Sequence, residues 1–267
     1  MSVSQLIRPL SSAPRSRPHL IICPFAGGSY SAFRGWKALD RIDVSTSLVI
    51  YPGRDHRIQE PVVTSIAEMA SQLAVELRAR PPGGTWFLIG HSMGAQVAFE
   101  TCRLLETSGR APAGLVVSAC HAPHLESRRL LSPFDDDGFI EQLIRIGGCP
   151  RTLRTDAEFR ACYLPMLRGD FYAAEHYHRT LDERAAGLET PTLLLYGRSD
   201  DEARRDEVDA WTHWLKGRTV LHAIAGDHFY ITQHPDAFIA SIARAFGFSL
   251  QSPSDRARVH PPPDYFP

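Results

Sequence analysis

Lysine is almost missing from this chain: of its 29 basic residues, only Lys37 and Lys216 are not arginine. Against 30 acidic residues this leaves a formal net charge of -1, so no basic excess marks a nucleic-acid partner. Cysteine is sparse as well. Cys23, Cys102, Cys120, Cys149 and Cys162 are odd in number, scattered and never spaced C-x-x-C. That argues against a disulfide framework or a zinc site; no metal is expected, and a reducing compartment fits. No apolar run reaches 18 residues, so no segment reads as a membrane span. The first 18 residues carry Ser, Pro and Arg in place of a secretory apolar core, and the expectation is a cytoplasmic protein.

What the chain does have is 267 residues, 43% of them hydrophobic, enough for one large α/β domain with an insertion. Residues 1–18 read as a flexible lead-in and 19–250 as the domain. Residues 251–267, with three consecutive prolines, read as a mobile tail. Apolar strands are expected at His19–Cys23, Ser47–Tyr51, Thr85–Gly90, Leu115–Ala119, Pro191–Tyr196 and Thr219–Ile224. Helical stretches alternate with them. Thr64–Arg80 is the clearest, with Ile66, Met69, Leu73 and Leu77 on one face and Ser65 with Glu68 as a capping box. Such alternation predicts a mostly parallel sheet with helices on both faces.

From about residue 121 to 189 the alternation stops. Helices are expected at Asp135–Ile146, Asp156–Arg168 and Phe171–Leu181 with no strand between them, the form of a helical lid.

The chemistry centres on Gly90-His91-Ser92-Met93-Gly94, which joins a strand directly to a helix. Such a turn lifts Ser92 above the sheet edge, and side chains at Gly90 and Gly94 would collide as the backbone folds back. A serine hydroxyl is a weak nucleophile near neutral pH and needs an imidazole beside it, oriented by a carboxylate. His228 follows the last strand, and Asp200 and Asp201 follow the strand before it. This is the Ser…Asp…His order of the α/β-hydrolases. His91 lies within the turn but should point away from Ser92, and Asp227 should serve its own turn. Spacing from Gly197 favours Asp200 over Asp201. Two N–H donors should face the developing oxyanion: Met93, and Ala26 or Phe25 from the loop after the first core strand.

Several segments together resemble the type II thioesterases, the stand-alone editing enzymes of nonribosomal peptide and polyketide assembly lines. They are Cys-Pro-Phe-Ala-Gly-Gly-Ser (23–29), Tyr-Pro-Gly-Arg (51–54), Gly-His-Ser-Met-Gly-Ala (90–95), Gly-Asp-His-Phe (226–229) and the lid segment Leu164–Phe171. The likeness spans about Leu20 to Phe246. His121-Ala122-Pro123-His124 and Ile146-Gly147-Gly148-Cys149 resemble the branch associated with yersiniabactin-type siderophores. The resemblance implies an α/β-hydrolase with the triad Ser92, Asp200 and His228, hydrolysing acyl or aminoacyl thioesters. It implies no resident cofactor: the acyl group arrives on the phosphopantetheine arm of a partner carrier domain, which a monomer would admit most freely. The family usually places Pro after its triad Asp. Neither Asp200 nor Asp201 is followed by one, so the choice between them stays open. The alternatives are another intracellular serine esterase or acyltransferase, and a non-enzymatic binding module. An acidic carrier would suit an Arg-rich lid face, for which Arg128, Arg129, Arg145, Arg154 and Arg168, with Leu130, Phe134 and Leu143, are the candidates.

Overall fold

The computed structural model describes residues 6–11, 18–41, 44–79, 81–180 and 187–250, with backbone alone at 37–41. Among the described residues seven strands form one sheet: β1 (Ile7–Pro9), β2 (His19–Cys23), β3 (Ser45–Val49), β4 (Trp86–His91), β5 (Gly114–Ser118), β6 (Thr192–Gly197) and β7 (Thr219–Ile224). Their spatial order is β1-β3-β2-β4-β5-β6-β7, and every pairing is parallel except β1 with β3. All five residues of β2, β3 and β5 are buried. Because alternate side chains point to opposite faces, burial at every position means that both faces are covered.

β1 corrects one expectation. Ile7–Pro9, within the stretch read as a loose lead-in, pairs antiparallel with β3 and closes that edge of the sheet. Arg and Pro in three residues hide the pattern, and Pro9 is tolerated because the strand is an edge. The tail at 251–267 lies outside the described residues.

The helices are α1 (Ile66–Ala79), α2 (Met93–Glu106), α3 (Asp136–Ile146), α4 (Thr152–Thr155), α5 (Ala157–Glu175), α6 (Arg205–Asp209), α7 (Tyr230–Gln233) and α8 (Pro235–Phe246). The Ser65 hydroxyl accepts the Glu68 N–H at 3.3 Å, half of the expected capping box on α1. α2 packs on β2, β4 and β5 and against α1. Phe33 and Trp36 sit in a 3-10 helix, Tyr30–Arg41, and not in an α-helix. Between β6 and β7, α6 runs into a 3-10 turn, Ala210–Trp214.

The lid departs further from expectation. Asp156–Arg168 and Phe171–Leu181 are not two helices: α5 runs unbroken from Ala157 to Glu175, and residues 181–186 lie outside the described residues. Pro165 sits on its exposed face, where water can take the place of the lost intrahelical hydrogen bond. Gly169 and Asp170, which read as a break, are both buried in the helix. A Cβ on Gly169 would strike the Val62 side chain, so glycine here permits close approach and does not end the helix. The lid has its own apolar cluster, in which Phe139, Ile140 and Leu143 of α3 meet Leu164, Met166 and Leu167 of α5. Each such side chain contributes about 1.5–3 kcal/mol on burial. Arg168 ties the two helices, donating to Asp136 at 2.7 and 2.9 Å with its guanidinium over the Phe139 ring.

Candidate active site

The candidate residues all follow the carboxyl ends of parallel strands of the one sheet, where open α/β sheets place their ligand crevices. Ala26 follows β2, Ser92 follows β4, Asp200 follows β6 and His228 follows β7. Ser92 has φ 55° and ψ −126°, a backbone conformation that costs an L residue about 1–3 kcal/mol. Its surroundings enforce that conformation. The Ser92 N–H donates to the Ser118 carbonyl at 2.8 Å and its carbonyl accepts the Ala95 N–H at 2.8 Å. A Cβ on Gly90 would meet the Gly94 carbonyl, and one on Gly94 would meet the Cys23 carbonyl. Both glycines let β4, α2 and the loop after β2 close on one another.

Asp200 and His228 meet directly. His228 Nδ1 lies 3.1 and 3.0 Å from the two carboxylate oxygens, and Asp200 Oδ1 also accepts the N–H groups of Glu202 (2.8 Å) and Ala203 (3.1 Å). Burial pushes the Asp200 carboxyl upward, but the His228 bond and charge and the two backbone donors outweigh it, leaving it below the usual value. Asp200 is thus held ionised, with His228 Nε2 left on the far side of the ring. Asp201 is exposed, while Asp227 accepts the Phe229 N–H at 2.9 Å within its own turn.

Ser92, Met93, Ala26, Phe25 and His228 line one cavity of ≈ 110 Å³. Met93 is the first residue of α2, so its N–H has no acceptor within the helix and points with the helix's positive end. The lid supplies the apolar walls of the cavity through Leu131, Leu143, Ile146, Leu167 and Phe171. Leu143 is buried there and is not part of an outer docking face. Of the lid arginines, Arg128 pairs with Glu207 and Arg129 with Glu202, both at the cavity. Arg168 is committed to Asp136, while Arg145 makes only an exposed pair with Glu141.

A support lies beneath these groups, built from His91 of the turn and from Ser118 and Tyr230. His91 is fully buried; its Nε2 donates to the His228 carbonyl at 2.7 Å and its Nδ1 lies 2.8 Å from the Ser118 hydroxyl. Because a carbonyl only accepts, Nε2 carries the proton and Nδ1 accepts from Ser118. The Ser118 hydroxyl in turn accepts a hydrogen bond from the Tyr230 hydroxyl at 2.5 Å, and that hydroxyl also lies 3.2 Å from the Leu195 carbonyl. Burial, then the nearby His228 charge, press the His91 pKa down to about 3, so the ring is neutral as this chain of bonds requires. Ser118 and Tyr230 lie 112 residues apart, and their types alone say nothing of the contact.

Fold and site together define the class: this is an α/β-hydrolase. The thioesterase domain family matches residues 18–246, and the chain belongs to that family. It is 40% identical over 235 residues to the probable anguibactin biosynthesis thioesterase AngT of Vibrio anguillarum, covering 87% of this chain and 93% of that one. To the thioesterase PikA5 of Streptomyces venezuelae it is 37% identical over 226 residues, covering 84% and 79% of the two chains. Among solved structures, YbtT, a type II thioesterase from the yersiniabactin NRPS/PKS biosynthetic pathway, superposes with a TM-score of 0.87 at 50% identity. That match covers 91% of this chain and 100% of YbtT. The chain is a thioesterase, similar to those named for anguibactin biosynthesis and for the yersiniabactin NRPS/PKS pathway. Among the described residues no helix is long and apolar enough to cross a membrane.

Proposed function

We propose that this thioesterase cleaves acyl and aminoacyl thioesters from the phosphopantetheine arms of carrier domains, clearing stalled or misprimed units from a siderophore-type assembly line. The observation that carries the reading is a strained Ser92 sharing one lid-covered apolar cavity with a His228 held by Asp200. In this reading His228 Nε2 takes the Ser92 proton as Oγ attacks the thioester carbonyl. The Met93 N–H and an N–H of the loop at Ala26 hold the oxyanion. The pantetheine thiol then leaves with that proton. Water, activated by the same imidazole, releases the acid and restores Ser92. The partners are the acyl- or peptidyl-carrier domains, the enzyme acts as a monomer, and no group beyond the carrier's own arm takes part. The cognate pathways named for AngT and YbtT favour siderophore precursors.

Deacylation of acyl-carrier protein measured beside hydrolysis of a small oxygen ester tests this. The expected result is a strong preference for the carrier thioester, abolished in a normally folded Ser92→Ala. Turnover by Ser92→Ala above about a hundredth of wild type would refute the role of Ser92. A preference for the small ester would favour a general esterase.

A further inference from the structure

Arg54 and Asp170 are 116 residues apart in sequence, one in the loop after β3 and the other on α5, and their side chains are 1% and 0% exposed. Two bonds join them, Nη1 to Oδ2 at 2.8 Å and Nη2 to Oδ1 at 2.6 Å. A buried pair of this kind seldom adds net stability, because desolvating both charges offsets their attraction. The pair's other bonds suggest a different office. Asp170 Oδ2 accepts the Gly27 N–H at 2.7 Å, and Arg54 Nη1 donates to the Gly28 carbonyl at 3.2 Å. These are the two residues immediately after Ala26, which lines the cavity with Ser92. Gly27 itself has φ +76°, and Leu167, also on α5, fills the space where its Cβ would stand. The loop is therefore held from two sides, by the lid helix and by the loop after β3.

We propose that the Arg54–Asp170 pair is a positioning clamp that sets the second oxyanion donor. The proposal rests on the reading of Ser92 as the attacking group. An oxyanion donor acts only if it is in place before charge develops, and a displacement of about 1 Å can cost about a hundredfold in rate. Neither side chain touches the substrate. Asp170 fixes the plane of the Ala26–Gly27 peptide, Arg54 fixes Asp170 and Gly28, and the N–H at Ala26 or Phe25 is thereby aimed into the cavity. Because Asp170 belongs to α5, this half of the lid helix cannot swing away without releasing the donor loop.

The test replaces the pair in two ways and reads kcat, KM and the thermal midpoint on a small acyl thioester. Arg54→Met with Asp170→Leu exchanges the ions for apolar groups of similar size and removes the acceptor of Gly27. It should melt near wild type yet lose about a hundredfold in kcat, with KM held within about twofold. Arg54→Gln with Asp170→Asn keeps a carbonyl for Gly27 and should regain most of that loss. Wild-type kcat in the folded Met/Leu variant would overturn the clamp, as would a Gln/Asn variant no better than it. Should the Met/Leu variant fail to fold, Asp170→Asn alone is read, since it sets an NH2 group against Arg54 or Gly27. The same loss of kcat at constant KM is predicted, and wild-type kcat overturns the proposal. Hydrolysis that persisted in Ser92→Ala would instead refute the acyl-transfer reading, leaving the two failures distinct.

Discussion

At Ser92 the backbone is held where an L residue rarely goes, and that constraint leaves Met93 as the first N–H of α2. The same economy governs Asp200, whose carboxylate takes His228 on one side and two backbone N–H groups on the other. Asp200→Asn should therefore cost about a thousandfold or more in kcat, because an amide can hold the wrong imidazole tautomer. Asp201→Asn, at an exposed position, should change kcat little; steady-state kinetics on one thioester separates the two, and the reverse result would move the acid to Asp201. The order of Ser92, an Asp and His228 along the chain was legible because each follows an apolar strand. The choice between adjacent aspartates was not. It turns on side-chain direction, which the backbone donors of Glu202 and Ala203 set only after folding.

At the level of elements, β4, the turn and α2 form one rigid unit, and His91 is its keystone through Ser118, Tyr230 and the His228 carbonyl. Its folded pKa of about 3 lies below the ordinary histidine value of about 6.5, so at intermediate pH the unfolded chain binds more protons. The stability His91 contributes is complete above about pH 6.5 and is lost progressively as pH falls toward 3, by at most about 1.4 kcal/mol per pH unit. His91→Gln keeps a donor for His228 but removes this titration. Denaturant unfolding between pH 4 and 7 should show a shallower loss of stability in the variant than in wild type, and equal slopes would contradict the assignment. Strand positions were readable from apolar runs, since buried parallel strands need little else. The unbroken α5 was not, because Gly169 and Asp170 owe their places to Val62 and Arg54, far away in sequence.

On the scale of the whole molecule, a lid with its own apolar cluster closes a small cavity over the sheet. Several lid arginines expected to greet an acidic carrier are committed elsewhere, Arg128, Arg129 and Arg168 to carboxylates. Arg154 is exposed, and Arg145 shares only an exposed helical pair with Glu141, which is worth little. Reversing both, Arg145→Glu with Arg154→Glu, should slow deacylation of acyl-carrier protein about three- to tenfold and weaken its salt dependence. Hydrolysis of a small acyl thioester should be unchanged; equal losses on both substrates would mean a damaged lid. The central claim is that the acyl group passes from the carrier arm to Ser92. The direct test mixes an excess of the wild-type enzyme with acyl-carrier protein, acid-quenches within a single turnover and weighs both intact proteins. The expected result is a carrier lighter by the acyl group and an enzyme heavier by the same mass, with the adduct mapped to the peptide containing Ser92. A carrier that stays loaded, or an adduct on Cys149 or another residue, would contradict it.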